Sequence, residues 1–213
     1  MSVKNAAAAL YKACADELAG VFMLLRSAHL KEQTSMEDTL AIITTMTQSA
    51  DFNGAYEHAV PLAQQYPNAV AAQMAAAYAC DRVGNEEQAL IYYRKGWALG
   101  VPEEHRFQFL IGFSSTLRNV GCAHESLEWL QLARREQPNN PALAAFTALA
   151  LHTVGETELA LATMLEAALK TGDGNGLAPY TRALTEYRDE LVVAAGNSKQ
   201  NQGVETDEPS TSA

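Results

Sequence analysis

The run FQFLIGFSSTLRNVGCAHESLEWLQLARREQPNNP, residues 107–141, contains two apolar-periodic segments joined at one glycine and closed by prolines. Phe107 to Val120 and Ala123 to Glu136 carry apolar residues at intervals of three and four, the spacing of one face of an α-helix. Gly121 suits the junction because a helix often ends on a left-handed residue that glycine adopts without steric cost. Pro138-Asn139-Asn140-Pro141 ends the second segment, and Pro141 stands ready for the first turn of the next helix.

The same plan recurs outward from this run. Gly84, Gly121 and Gly155 each precede a small residue by five positions (Ala89, Ser126, Ala160), and Ala55 lies 34 residues before Ala89. Four units follow, 36–69, 70–106, 107–140 and 141–170, with starts spaced by 34, 37 and 34. The three extra residues are assigned to the connector Leu99 to His105, where a Gly/Pro-containing loop tolerates insertion. Unit one departs most, with Ala50 or Asp51 in place of the turn glycine and Pro61 inside its second helix, where it should kink or shorten it.

The pattern resembles the tetratricopeptide repeat. In that family a small residue in the second helix packs against the first helix, another follows seven later, and a proline closes the unit. The first small position here is Ala55, Ala89, Ser126 and Ala160. The second is Gly96, Ala133 and Ala167, with Leu62 in unit one, and Pro67 and Pro138 close units one and three. The run Ser115-Thr116-Leu117-Arg118-Asn119-Val120-Gly121 resembles an element of a small bacterial subgroup of these repeats. The resemblance covers about Met36 to Lys170 and implies an all-α, right-handed superhelix of about four helix-turn-helix repeats.

Flanking segments complete the expected organisation. Residues 1–35 should supply an N-terminal helix on the first repeat, with Leu10, Cys14, Leu18, Val21, Phe22 and Leu25 at helical spacing. Residues 171–195 read as a linker and capping helix, and 196–213, without apolar periodicity, as a disordered tail.

Composition bounds the function. The 213 residues are 48% hydrophobic and 19% charged, with net charge -10, which argues against a nucleic-acid or anionic-membrane surface. Cys14, Cys80 and Cys122 are too few and scattered for a disulfide framework. Leu18 to Leu25 is far shorter than the roughly 20 residues of a membrane span. Lys12, Asp16 and Glu17 interrupt any signal-peptide core, so a cytoplasmic location is expected.

Catalytic chemistry finds little support. His29, His58, His105, His124 and His152 form no pair at helical spacing and have no local Cys or Asp cluster, so neither metal nor cofactor is expected. Gly172 to Gly176 lacks the strand and the lysine that a phosphate loop needs, and no G-x-S-x-G surrounds a serine. Cys122 has no companion to activate a thiolate. Tyr92-Tyr93, Trp97, Trp129 and Phe146 read as interhelical packing.

A groove remains. The resemblance implies that the first helices line a concave face, which places Met74, Tyr78 and Arg82 there, followed by Ile111, Ser115, Arg118, Asn119 and His152. Thr44, Gln48, Asp81 and Leu149 belong to the same face. The clamp by which some members grip carboxyl termini is missing, since Leu40, Thr44, Ala75, Gln108 and Gly112 stand at its places. Arg82 is expected to pair with Asp81 or Glu86, while Arg118 either pairs likewise or faces a ligand. The expected function is non-enzymatic capture of a protein or peptide. The alternatives are a homodimer built on the N-terminal helix, and an enzyme in which His152, Arg118 and Cys122 share a groove.

Overall fold

The computed structural model describes residues 33–171 and 177–204, together with positions 23, 25–27 and 30. Described elements run α1 (33–48), α2 (Phe52–Gln65), α3 (Val70–Arg82), α4 (Glu86–Leu99), α5 (Glu103–Asn119), α6 (Ala123–Glu136), α7 (Pro141–Thr153) and α8 (Thr157–Lys170). A 3-10 turn, Ala178–Tyr180, then leads into α9 (Thr181–Val204). Consecutive helices pack as antiparallel pairs, and α3, α5 and α7 also touch in series, so a row of first helices lies behind a row of second helices.

Every turn inside a pair has the same hydrogen bonds. The amide three residues past each helix end reaches back to a carbonyl one turn earlier: Asp51 to Met46 (2.9 Å), Asn85 to Cys80 (2.9 Å), Cys122 to Leu117 (2.8 Å) and Glu156 to Leu151 (2.9 Å). That closure requires positive φ at the residue between, and Gly84, Gly121 and Gly155 adopt 76°, 84° and 87°. In unit one Ala50 does the same at φ 61°, against the preference of an L-residue, so Ala50 rather than Asp51 takes the glycine's place. Asp51 caps α2 instead, accepting from the Gly54 amide at 2.9 Å.

Two expected irregularities resolve differently. Pro61 leaves α2 at 14 residues, the length of α4, α6 and α8, so the helix is not shortened. Pro61 and Glu57, whose carbonyl loses its partner, are both exposed and water can serve instead. The three-residue insertion does not lengthen a loop. Helix α5 starts at Glu103 and has 17 residues against 13 in α3 and α7, because Pro102 caps it and Glu103-Glu104 face the positive end of its dipole. At the C-terminus α9 continues to Val204, past the boundary expected at 196. Residues 1–22, which carry most of the expected N-terminal helix, lie outside the described residues; Leu25 is described and exposed.

The core runs between the two helical rows. Ala55, Ala89, Ser126 and Ala160 are buried, as close helix approach demands. Ser126 satisfies its hydroxyl by donating to the Ser114 carbonyl at 2.8 Å. Around units two and three the space is filled by rings: Tyr93 stacks on Phe113 (5.5 Å), Phe113 meets Trp129 (4.6 Å) and Trp97 meets Trp129 edge-on (5.1 Å). Such pairs contribute about 0.5–1.5 kcal/mol each beyond their buried area. Gln73, fully buried, donates to the carbonyls of Ala63 (2.9 Å) and Tyr66 (3.2 Å), so a side chain of unit two closes the end of α2.

Candidate functional site

The 34-residue register sorts the first helices into rungs. One rung is Leu40, Met74, Ile111 and Ala145; the next is Thr44, Tyr78, Ser115 and Leu149; the third, beside the turns, is Gln48, Arg82, Asn119 and Thr153. Four-residue steps keep Met74, Tyr78 and Arg82 on one face of α3.

An open groove of about 520 Å³ runs across α1, α3 and the start of α5. Met74, Tyr78 and Arg82 line it from α3, Leu40, Thr44 and Gln48 from α1, and His105 and Gln108 from α5. Among the described residues no carboxylate lines it, although the chain carries 25 acidic residues. Tyr78 packs edge-on against Tyr93 (6.0 Å) and Phe109 (6.3 Å), so its ring is held by the core. Burial pushes its phenol up to about 12.

The remaining expected residues fall beside this groove rather than in it. Ile111 is buried, Ser115 and Arg118 are half-buried, and Asn119 and His152 are exposed; none of the five lines the 520 Å³ volume. Sequence reasoning missed His105 because it placed the segment in a connector. The signal was present in Pro102 followed by Glu103-Glu104, a helix start.

Arg82 departs from the expected pairing. Arg82 lies over the Phe52 ring at 5.3 Å and forms no ion pair with Asp81 or Glu86. The Asp81 carboxylate turns to the Thr116 hydroxyl (3.0 Å) and the Tyr93 hydroxyl (3.4 Å), tying α3 to α4 and α5. Burial holds Asp81 above the usual carboxylate range, opposed by those two hydroxyls. Arg118 donates to Asn119 at 2.9 Å, while its Nε is buried and meets no acceptor.

Burial pushes the Cys80 thiol up to about 12, away from thiolate character. Among the described residues no three His, Cys, Asp or Glu side chains gather as a metal site. No described helix is long and apolar enough to cross a membrane.

Residues 69–191, more than half of the chain, match the family model described as Tetratrico peptide repeat. Among solved structures the chain is similar to MamA MSR-1 C2 at 16% identity and TM-score 0.55, covering 62% of this chain and 74% of that one. It is similar to a further MamA protein structure at 16% identity and TM-score 0.54, covering 83% and 98%. A third is YrrB, described as a TPR protein with an unusual peptide-binding site, at 13% identity and TM-score 0.52, covering 74% and 82%. At such identities the likeness shows the fold alone. No curated protein matches the sequence significantly.

Proposed function

Because this chain belongs to the tetratricopeptide-repeat family, we propose that it is a non-enzymatic scaffold that captures a peptide segment of a partner protein along its first helices. Domains of this family generally bind proteins or peptides. The supporting observation is the groove across α1, α3 and α5. It is open, preformed, mostly apolar and furnished with a few fixed polar groups, as recognition sites generally are. Met74 and Leu40 offer apolar contact, Tyr78 a donor on a rigid ring, and Thr44, Gln48 and Gln108 amide and hydroxyl partners. On the same reading the chain falls in the bacterial subgroup marked by Ser115 to Gly121 and works in the cytoplasm.

Panning a random twelve-residue peptide library against the purified chain tests this. Ala71 lines the groove and is exposed, so Ala71→Trp fills the groove without removing core. Peptides enriched on the wild type should bind Ala71→Trp at least about tenfold more weakly, with helicity unchanged by circular dichroism. Absence of enrichment, or equal binding to the filled variant, refutes the groove.

A further inference from the structure

We propose that the cavity between units three and four is a second binding site, which takes the carboxamide of a glutamine side chain from a partner protein. The cavity, of about 130 Å³, lies where the end of α6, the start of α7 and the end of α8 meet, and it shares no lining residue with the groove. The chain itself shows what fills such a place, because Gln73 fills the equivalent one between units one and two.

The closing prolines create the need. A proline four residues past a helical carbonyl has no N–H to give it, so Pro67 leaves the Ala63 carbonyl, and Pro138 the Arg134 carbonyl, without the usual helical partner. In the first junction the buried Gln73 carboxamide donates to the carbonyls of Ala63 (2.9 Å) and Tyr66 (3.2 Å). In the second, Val101 replaces the proline and the Gly100 amide reaches the Trp97 carbonyl at 3.0 Å. Leu110, buried and without a donor, stands there at the position of Gln73. In the third junction the proline returns, but Ala144 holds that position and is too short to fill the cavity it lines. Among the described residues no donor reaches the Arg134 carbonyl. The two proline junctions otherwise match: the amides of Tyr66 and Gln137 bond to Leu62 and Ala133, and those of Ala69 and Asn140 to Tyr66 and Gln137. Both acceptors of Gln73 therefore have counterparts in Arg134 and Gln137.

The lining decides which donor fits. An ammonium or guanidinium is opposed by Arg134 and Lys170, and the one carboxylate of the lining, Glu166, already holds Lys170 at 2.7 Å. A carboxylate would meet the unserved Arg134 carbonyl, acceptor against acceptor. A carboxamide answers both features, since its N–H groups serve carbonyls while its oxygen accepts from Arg134 or Lys170. Gln73 lacks that last contact, its Oε1 being buried without a partner. Arg134, Asn139 and Lys170 are exposed, so a side chain can enter from outside, and the volume exceeds what a single ordered water needs.

The probe is N-acetylglutamine N-methylamide, with its leucine and glutamate counterparts as controls, titrated by NMR into the full chain to about 50 mM because so small a ligand binds in the millimolar range. The amides of Leu143, Ala144 and Ala167 should shift saturably, with affinity at least about tenfold higher for glutamine than for either control, since only the carboxamide serves the carbonyls. Ala144→Gln should fill the site from within and abolish those shifts while leaving groove-selected peptides bound; Ala71→Trp should leave the probe bound, so the two sites fail separately. Ala144→Gln should also melt about 2–4 °C above Ala144→Leu, the shift expected of one hydrogen bond in a chain of this size. Absence of saturable shifts, equal binding of the controls, probe binding that survives in Ala144→Gln, or equal melting of the two filled variants overturns the proposal. Tighter binding of free glutamine than of the capped form also overturns it, by making the occupant a free amino acid rather than a partner's side chain.

Discussion

Replacing Ala50 with glycine should stabilise the first repeat, and replacing Gly121 with alanine should destabilise the third by a similar amount. Both residues sit in the left-handed region, Ala50 at φ 61° and Gly121 at φ 84°. An L-residue pays about 1–2 kcal/mol for that conformation. Glycine gives back about 0.4–1 kcal/mol through the greater freedom of its unfolded chain. The difference is about 0.5–1 kcal/mol in favour of glycine. Packing does not complicate the comparison, since Ala50 is exposed and a Cβ added at Gly121 meets nothing within 4 Å. Stacked repeats need not unfold all at once, so urea midpoints should be paired with a local readout. Hydrogen exchange of the Asp51 amide, bonded to the Met46 carbonyl, reports the first turn. It should slow in Ala50→Gly. A neutral or destabilising Ala50→Gly in a correctly folded chain, or a harmless Gly121→Ala, would refute backbone conformation as the reason for the turn glycines.

Two other substitutions probe the contacts between repeats. Burial raises Asp81 in the folded chain, so its contribution is fully present below the unfolded value near about 3.9 and is lost as pH rises through the folded value. Asp81→Asn should therefore gain stability relative to wild type at pH 7 compared with pH 4, read from urea midpoints. A relative loss at pH 7 would mean that the bonds of the ionised carboxylate to Thr116 and Tyr93 dominate. At Gly112 a Cβ would collide with the Tyr93 hydroxyl, so Gly112→Ala should cost about 1–3 kcal/mol, and adding Tyr93→Phe should recover part of it. Strictly additive effects in that double-mutant cycle would show that the collision is relieved elsewhere.

Sequence legibility followed locality. Gly84, Gly121 and Gly155 could be read because their role is set by their own φ, and the small residues Ala55, Ala89, Ser126 and Ala160 because close helix approach recurs at a fixed offset from each turn. Arg82 and Asp81 were misread because adjacency along the chain suggested a pair. Successive residues on a helix point about 100° apart, and Asp81 found hydroxyls on two other helices while Arg82 reached back to Phe52.

The sequence by itself determined the architecture: four helix pairs in a fixed register, with Met74, Tyr78 and Arg82 sharing one face of α3. A periodic pattern needs only local geometry to be understood. The tertiary structure decided that Ala50 accepts a glycine's conformation, that the insertion lengthens α5, and that the groove opens toward α1 rather than among α3, α5 and α7. It also decided that Arg82 and Arg118 have no carboxylate among their described partners. Each of these depends on which helix lies beside which, a relation between residues far apart in the chain that no window of sequence contains.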